Sequence, residues 1–321
     1  MNKKLPFVSV VIPTFNRSQI LKKCLGCFLK QDYPESKTEI VVIDDGSSDN
    51  TKKMVGKLKK NQPKNLPLTY LFQKNRGPAA ARNLAIKNCR GSIVIIVNDD
   101  ILPQKKFIDQ HVKFHLRYSQ KNYAVLGLTT WSPEIKITPF MSWLETKGPL
   151  FSYNQLKGVK ANWRHGWTCN ISYKKDFLLN NGLFDEDFPY AAWEDIELAY
   201  RLYQRGMRLR YNKKAIAYHY HPTTLASSIK KMRNQGISVV ILGKKIKDKS
   251  ILPPLATKDI GSLIDILDRI LANPPIVFLI RKVAFFCEPR FRCHFIYDPL
   301  LLHYRAIARR EFIKKHAQKL N

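Results

Sequence analysis

The order of short apolar runs in this sequence constrains its fold more than any other feature. The runs are rich in Val and Ile and have the length of strands that are buried on both faces. They lie at residues 7–13, 39–44, 68–73, 92–97 and 123–128. Helix patterns separate them and begin near Ser18, Ser47 or Ser48, Pro78 and Pro103. This β-α-β-α order predicts an α/β fold in which a doubly wound, mostly parallel sheet is flanked by helices.

The chain changes character twice after this alternating region. At about 131–166 its prolines, glycines and aromatic residues predict a loop-rich segment with one short helix. Strand and helix patterns then return, and Gly182 and Gly206 are placed to end two helices. Beyond Pro222 the pattern becomes that of amphipathic helices, interrupted by proline pairs. We therefore predict a domain over 1–222, with halves 1–130 and 131–222, and a basic amphipathic helical extension over 223–321.

The charge balance indicates a polyanionic partner. The chain has 55 Lys and Arg residues but only 25 Asp and Glu residues, and its formal net charge is +30. A phosphorylated ligand, a nucleic acid or an anionic membrane surface fits such an excess. Residues 241–321 contribute to it with 16 basic and 7 acidic residues.

Three features bear on where the protein works. Six cysteines in a chain of 321 residues do not make a disulfide framework, and reduced thiols fit a cytoplasmic protein. Cys24 and Cys27 form a C-x-x-C pair, but their helical context predicts core packing rather than a redox or zinc site. The apolar run near the amino terminus is broken by Pro13, so we expect no signal peptide. The apolar stretch at 276–287 is cut by two basic residues, so no membrane-spanning segment is expected.

Acidic residues follow two of the predicted strands. Asp44-Asp45 ends the second strand, and Asn98-Asp99-Asp100 ends the fourth. Ligands of open parallel sheets bind beyond the carboxyl ends of the strands. Adjacent carboxylates repel each other, so two such pairs at one edge predict a cation or a hydrogen-bonding ligand, although solvated turns remain an alternative. Neither G-x-G-x-x-G after the first strand nor a P-loop motif is present, which argues against a dehydrogenase of the Rossmann type and a P-loop NTPase.

Four stretches, taken in order, resemble the inverting nucleotide-sugar glycosyltransferases of family 2, which have the GT-A fold. They are VSVVIPTFNR, VVIDDGSSDNT, NRGPAAARN and IIVNDDILP. The similarity continues through NISYKKDFLLNNGLFDEDFPYAAWEDIELAYRLYQRG to AIAYHYHP and covers about residues 6–222. Each stretch is weak evidence alone, but the ordered set is specific. The resemblance implies that 1–130 binds the nucleotide and that 131–222 provides the acceptor and catalytic half.

The resemblance assigns donor-binding roles to residues at the strand ends. Asp45 is expected to accept a hydrogen bond from the N–H of a pyrimidine base. This role suits a carboxylate, because a carboxylate accepts from a ring N–H but repels phosphate. Asp44 is expected to fix the turn instead. Arg82 either faces the base or diphosphate or lies at the surface. The donor-binding residues implied in this way are Pro13, Thr14, Arg17, Asp45, Arg76, Arg82, Asn98 and Asp99.

The metal motif of the family is Asp-x-Asp at the end of the fourth strand. In this chain Asn98 takes the first position, so an amide stands where the family has a carboxylate. The resemblance implies that Asp100 is a direct or water-mediated ligand of Mn²⁺ or Mg²⁺, which prefer hard oxygen ligands. It also implies that a histidine completes the metal shell, and His219 fits that position more closely than His221. We expect weaker metal binding because Asn98 contributes no charge.

Trp193-Glu194-Asp195 matches the family's helix start that carries the catalytic base. Asp195 is the expected base, and the helix dipole would help to hold its carboxylate ionised. Glu194 and Trp167 are expected to contact the acceptor. The alternative is that these acids only stabilise the start of a helix. Aromatic residues of the irregular segment either stack on sugars or form its core; they are Trp163, His165, Trp167 and Tyr190.

The implied reaction is a single displacement at the anomeric carbon of a nucleoside-diphosphate sugar, with uridine favoured as the base. The expected partners are a nucleotide-sugar donor and a glycan or lipid-linked acceptor, as in polysaccharide or glycolipid synthesis. We expect the basic extension to dock on an anionic membrane face rather than only to cap the domain. The alternatives are a catalytically silent nucleotide-sugar-binding homologue and a basic nucleic-acid-binding protein. The latter lacks a recognisable nucleic-acid motif, so no nucleic acid is expected as a partner.

Overall fold

The computed structural model describes residues 5–248, 252, 274–291 and 293–316, apart from short gaps at 62, 64, 149, 151–152, 154–155 and 157. The chain divides into two compact units. The first consists of Met1–Ile135, Tyr153–Pro189 and Leu198–His221, and the second of Lys136–Ser152, Tyr190–Glu197 and Pro222–Asn321. The proline pair 253–254, which was expected to interrupt the helices, lies outside the described residues.

An eight-stranded mixed sheet organises the first unit. Its strands are β1 Val8–Thr14, β2 Thr38–Asp44, β3 Leu68–Phe72, β4 Ile93–Val97, β5 Ile101–Pro103, β6 Tyr123–Trp131, β7 Asn170–Lys174 and β8 Arg208–His219. The order across the sheet is β3-β2-β1-β4-β7-β6-β8-β5. Strands β3, β2, β1 and β4 are parallel, as are β6 and β8. Strand β7 is antiparallel to both β4 and β6, and β5 is antiparallel to β8. The predicted α/β fold is confirmed.

Ten helices accompany these strands in the described residues. They are α1 Ser18–Phe28, α2 Thr51–Asn61, α3 Pro78–Asn88, α4 Phe107–Arg117, α5 Pro139–Thr146, α6 Lys175–Asn180, α7 Glu194–Gln204, α8 Leu225–Lys245, α9 Pro274–Cys287 and α10 His294–Lys315. Every residue of β2 and β4 is buried, as expected for central strands covered on both faces. Gly182 and Gly206 both have φ of +83°, which confirms the predicted glycine ends of two helices.

The C-x-x-C pair lies in α1. Cys24 is fully buried beside Leu21, Leu25 and Phe28, while Cys27 is half-buried. The described cysteines are all free thiols. Burial raises the pKa of the Cys24 thiol well above its ordinary value. The predicted packing role is therefore confirmed for Cys24.

The predicted start of α1 near Ser18 is confirmed: Ser18 is its first residue, and its N–H donates to the Asp49 carboxylate at 3.0 Å. Two other predicted helix starts are wrong, and a specific contact explains each. Helix α2 begins at Thr51 instead of Ser47 or Ser48, because Asp49 also accepts from the Thr51 N–H. Pro103 belongs to β5, where it pairs with β8, so α4 begins only at Phe107.

A buried carboxylate with both oxygens hydrogen-bonded lies at the amino-terminal ends of β1, β2 and β4. Glu39, at 2% exposure, accepts hydrogen bonds from the Ser9 hydroxyl at 2.6 Å and from the Arg90 N–H. Its second oxygen accepts from the Arg90 guanidinium at 3.0 Å. The Ser9 hydroxyl in turn accepts from the Gly91 N–H at 2.7 Å. These bonds tie the strand starts together.

The second unit is largely helical. Helices α8 and α10 pack closely at Gly236, where a Cβ atom would collide with the carbonyl of Arg305. Phe140 and Trp143 of α5 pack against Tyr297 of α10, with ring centroids 4.9 and 5.2 Å from that ring. Among the described residues, none of the helices is both long and apolar enough to cross a bilayer.

Candidate active site

Four strand ends place polar residues at one edge of the sheet in the first unit. Strand β1 ends at Pro13 and Thr14, β2 at Asp44, β4 just before Asn98, and β8 at His219. These strands run in the same direction, so their carboxyl ends share an edge. This confirms the spatial part of the sequence argument for the strand ends.

Asp99 and Asp100 form the centre of this edge. Both are buried, with exposures of 3% and 5%. Arg17 bridges them: its Nη1 lies 2.7 Å from Asp99 Oδ1, and its Nη2 lies 2.9 Å from Asp100 Oδ2. Thr14 donates its hydroxyl to Asp99 Oδ2 at 2.8 Å. The side chain of Arg17 is therefore held against the acidic pair.

Two histidines complete the cluster. His219 Nε2 lies 3.4 Å from Asp100 Oδ2, and His221 Nδ1 lies 3.2 Å from Arg17 Nη2. The two imidazole rings are 6.0 Å apart. His219 thus faces the carboxylate that the resemblance assigns to the metal, while His221 faces the arginine.

The two carboxyl groups differ in their affinity for a proton. Burial, reinforced by the neighbouring Asp100 carboxylate, raises the pKa of Asp99 to about 7. Burial also raises the pKa of Asp100, but His219 and Arg17 lower it by more, and it ends below its ordinary value. Asp100 therefore carries the negative charge of the pair over a wider pH range than Asp99 does.

The side chains at this edge fit a hard divalent cation only if a bound ligand supplies the remaining coordinating oxygens. Asp100 Oδ1 is buried and has no hydrogen-bond partner, which leaves one carboxylate oxygen for a cation or a bound group. Across the described residues, no group of three or more His, Cys, Asp and Glu side chains is arranged to hold a metal ion. Mn²⁺ and Mg²⁺ often bind through one or two carboxylates together with phosphate and water oxygens, so the residues present fit such a cation.

Asp44 and Asp45 organise the neighbouring loop. Asp44 accepts from the Ser47 N–H at 2.7 Å and from the Tyr70 hydroxyl at 2.6 Å, so it does fix the turn. Asp45 accepts from the Gln73 amide at 2.6 Å and from the N–H groups of Arg76 and Gly77 at 3.0 and 2.9 Å. A carboxylate has about four acceptor positions, so Asp45 retains capacity for one more donor.

Gly46 makes this arrangement possible. Its φ is +90°, and a Cβ atom there would lie 2.8 Å from the backbone nitrogen of Asn75. The loop after β1 joins the same structure, because Asn16, with φ of +52°, accepts from the Ser48 N–H at 2.8 Å. The three loops at this edge are thus cross-linked by short hydrogen bonds.

The two predicted arginines beyond β3 occupy different environments. Arg82 is 2% exposed, so the surface alternative is wrong. Its Nη2 lies 3.5 Å from the side-chain oxygen of Asn98, which links α3 to the metal motif. The side chain of Arg76 is 66% exposed and forms an ion pair with Glu186 at 2.7 Å. Of these two arginines, Arg82 is the one that contacts the Asn98–Asp100 segment within the described part of the chain.

Glu194 and Asp195 begin α7 and belong to the second unit. Glu194 is buried, and Asp195 is half-buried and accepts from the Ile196 N–H at 2.8 Å. Trp193, directly before them, has φ of +72°, and its indole N–H is buried with no hydrogen-bond partner. A left-handed conformation is rare for a bulky residue, and such strain concentrates at functional sites.

The aromatic residues of the irregular segment separate into core and partly accessible groups. Trp163 is 7% exposed and packs against Tyr200 at 5.0 Å, so it belongs to the core of the first unit. Trp167 is half-buried, between the rings of Tyr153 and His165 at 5.0 and 5.2 Å. Trp167 is therefore partly accessible, as a sugar contact requires.

Sequence reasoning missed three features of this site. It did not foresee the ion pairs of Arg17, because they join residues that lie 82 and 83 positions apart. It did not assign Gln73 to Asp45, since a glutamine after a strand carries no specific signal. The strain at Trp193 had one available clue, its position directly before the matched Glu-Asp pair.

Comparison with known proteins agrees with this fold. The model of glycosyl transferase family 2 matches residues 9–179. The chain is 27% identical over 274 residues to chondroitin synthase from Escherichia coli, which covers 74% of this chain. The chain spans only 38% of the length of that relative.

Solved structures show the same fold at low sequence identity. The mannosyltransferase PcManGT from Pyrobaculum calidifontis, solved with GDP-Man and Mn²⁺, has a TM-score of 0.65 at 20% identity, over 96% of this chain and 88% of that one. S. aureus TarS 1–349 with UDP-GlcNAc has a TM-score of 0.52 at 19% identity, over 96% and 92% of the two chains. The architecture is of the GT-A type. With its family model matched over more than half of the chain, the protein belongs to glycosyl transferase family 2.

Proposed function

We propose that this chain transfers a sugar from a nucleoside-diphosphate sugar to an acceptor hydroxyl with inversion at the anomeric carbon. The observation that carries the proposal is the buried pair Asp99 and Asp100 at the carboxyl-end edge of a family 2 sheet. One oxygen of Asp100 is buried without a partner, and unsatisfied buried carboxylates are costly unless a ligand uses them. A donor diphosphate with its cation meets that requirement.

The donor would be held by residues of the first unit. We assign the nucleoside to Pro13, Thr14, Arg17 and Asp45, with uridine as the proposed base. Asp45 has the remaining acceptor capacity that a ring N–H needs. Asn98 and Asp99 are assigned to the ribose or sugar, and Arg76 and Arg82 to the base or diphosphate.

A divalent cation, Mn²⁺ or Mg²⁺, would be held by Asp100 and His219. When bound, it would offset the negative charge that develops on the leaving diphosphate. His219 is the better candidate than His221, because it lies 3.4 Å from Asp100 whereas His221 contacts Arg17.

Asp195 is the proposed catalytic base. Its carboxylate accepts the proton of the acceptor hydroxyl while that oxygen attacks the anomeric carbon. The bond between the anomeric carbon and the diphosphate oxygen breaks on the opposite face, which inverts the configuration. Asp195 lies in the first turn of α7, at the positive end of the helix dipole, where an ionised carboxylate is favoured. Glu194 and Trp167 are proposed to contact the acceptor.

The acceptor is proposed to be a glycan or a lipid-linked glycan at an anionic membrane surface. The similarity to a chondroitin synthase supports a role in polysaccharide or glycolipid synthesis. The basic excess within 241–321 supports the anionic surface.

A catalytically silent homologue that only binds the donor is the second candidate. Asn98 favours it, because the family's first motif carboxylate is missing and the amide lies near Arg82 instead. The two candidates predict different behaviour of the Asp195→Asn variant. In an active enzyme this change should lower the release of nucleoside diphosphate by about 1,000-fold and leave donor affinity within about twofold. Equal turnover in the variant and the wild type would remove Asp195 as the base.

The class of donor can be tested by thermal shift. A panel of nucleoside diphosphates and nucleotide sugars, each with and without Mn²⁺, should raise the melting temperature for one donor, and more so with the metal. An Asp100→Asn variant should lose the metal-dependent part of this stabilisation. If no nucleotide in the panel stabilises the wild type, the proposed function is wrong.

A further inference from the structure

Helix α9 has an apolar surface on two opposite faces. Its sequence, PPIVFLIRKVAFFC, contains only two charged residues. The inward face packs into the second unit, with Ala284 fully buried and Cys287 at 7% exposure. A helix in water normally presents a polar face opposite its packed face, so a helix that is apolar all round requires a second apolar environment.

The outward face of α9 carries large exposed side chains. Phe278, Leu279 and Phe286 are 59%, 62% and 59% exposed, and Val283 is 40% exposed. At 100° per residue these four lie on one side of the helix, opposite Ala284. We call this surface the α9 apolar face.

Exposed apolar residues are concentrated in this part of the chain. Of the fifteen exposed large hydrophobic residues in the described structure, seven lie between Ile276 and Phe295. Phe291 and Phe295 follow the helix at 53% and 69% exposure. Contiguous exposed apolar patches mark interaction sites, whereas scattered ones do not.

Basic residues are interleaved with the exposed rings. Lys282 Nζ lies 4.5 Å from the centroid of the Phe278 ring, and the Arg290 guanidinium lies 4.5 Å from that of Phe286. The cations are thus at the level of the apolar side chains on the same surface. At a bilayer interface this pattern lets rings enter the acyl boundary while cations pair with anionic headgroups.

We propose that the α9 apolar face docks in the plane of an anionic membrane surface. The α9 apolar face would be the part of the chain that contacts the membrane surface proposed above. This inference rests on that proposed partner and does not depend on the chemistry of sugar transfer. The helix has 14 residues, too few to span a bilayer but suited to lying in the interface. A nucleic acid would use the cations and leave the phenylalanines in water, and a second copy of this chain would bring a surface of the same positive charge against Lys282 and Arg290.

The experiment is co-sedimentation of the full chain with vesicles. Wild type should pellet with vesicles of phosphatidylcholine and phosphatidylglycerol, and much less with phosphatidylcholine alone. A Phe278→Ser, Leu279→Ser, Phe286→Ser variant should lower the vesicle partition coefficient more than about tenfold. A matched control, Leu179→Ser with Tyr203→Ser, removes exposed apolar residues of the first unit and should pellet like wild type. Equal pelleting of the triple variant and the control would overturn the proposal.

Two further measurements separate the remaining outcomes. A Phe286→Trp variant keeps the face apolar, and brominated lipid should quench its added fluorescence; absence of that quenching would overturn membrane insertion. Sedimentation velocity without vesicles should show no change of oligomeric state in the triple variant. If the variant instead dissociates a dimer and vesicle binding is unaffected, the face is an interface between copies and the proposal is wrong. Donor binding without vesicles should be the same in all variants, so a failure here is distinct from a failure of the proposed function.

Discussion

The two ends of the same strands bury acidic residues in opposite ways. At the amino-terminal ends, Glu39 accepts from Ser9 and twice from Arg90, so both of its oxygens are bonded. At the carboxyl ends, Asp99 and Asp100 lie side by side and share one arginine, and one oxygen of Asp100 has no partner. Saturated charge stabilises a fold, whereas charge left incompletely paired is available to a ligand. This difference distinguishes a structural edge from the edge that we propose to bind a ligand.

The largest expected effect is at the carboxyl-end edge. Asp100→Asn should reduce turnover by about 100- to 1,000-fold, because it removes the charge that holds the cation near the leaving group. The melting temperature without ligand should fall only slightly, since the lost pairing with Arg17 and His219 is partly offset by the removal of the repulsion between the two acids. An assay of nucleoside diphosphate release measures turnover, and differential scanning fluorimetry measures the melting temperature. Asp32→Asn, an exposed acid of the same unit, is the matched control. A loss of stability large enough to account for the loss of activity would show that Asp100 has a structural role instead.

The amino-end edge should respond in the opposite way. Glu39→Ala should lower the free energy of unfolding by about 3 kcal/mol, because it leaves Ser9 and Arg90 without their buried acceptor. Nucleotide affinity in the folded protein should stay within about twofold. Urea unfolding and isothermal titration calorimetry report these effects, with Glu35→Gln on the nearby surface as the control. A selective loss of nucleotide binding would contradict the structural role.

A buried cluster of neutral histidines makes the stability of the first unit depend on pH. His111 and His115 of α4 both lie within 3 Å of the Ser172 hydroxyl on β7. Burial lowers the pKa of His111 to about 4 and that of His115 to about 3. The unfolded chain takes up these protons near pH 6.5, so stability is fully present above that pH and is lost as pH falls toward 4.

The expected magnitude can be measured by unfolding at two pH values. Between pH 7 and pH 5, wild type should lose about 2 to 4 kcal/mol more than a His111→Gln, His115→Gln variant. Urea unfolding at both pH values provides the comparison. Equal losses in the two proteins would show that these histidines are not held neutral in the fold.

The smallest expected effect concerns Arg17. Because its guanidinium contacts the carboxylate of Asp100, Arg17→Gln should strengthen the binding of Mn²⁺ alone by about fivefold. Electron paramagnetic resonance of free Mn²⁺ measures this affinity without any nucleotide. Weaker Mn²⁺ binding in the variant would show that Arg17 does not compete with the cation.

Much of the first unit could be predicted from local patterns. The buried runs identify the central strands, and Gly182 and Gly206 identify two helix ends, because both signals are local. The start of α2 could not be predicted, since Asp49 decides it through contacts with two segments. The antiparallel insertion of β7 depends on pairing across the chain, which hydrophobic periodicity does not contain.

The candidate site likewise has some features that short motifs predict and others that depend on tertiary packing. Its residues were proposed from the resemblance of short motifs, and the strand ends bring Thr14, Asp99, Asp100 and His219 together at one edge. The bridging role of Arg17 and the burial of Arg82 depend on tertiary packing, so no local sequence pattern predicts them. Short motifs therefore propose which residues belong to the site, and the fold shows how these residues are paired.

We propose that the incompletely paired acids of the carboxyl-end edge bind the diphosphate end of a sugar donor with its cation. Anomalous diffraction from crystals grown with Mn²⁺ and the stabilising nucleoside diphosphate would locate both groups. We expect one strong manganese peak beside the carboxylate of Asp100, with the diphosphate oxygens next to it. A nucleotide bound elsewhere, or bound at this edge with the peak away from Asp100, would show that these acids do not hold the cation.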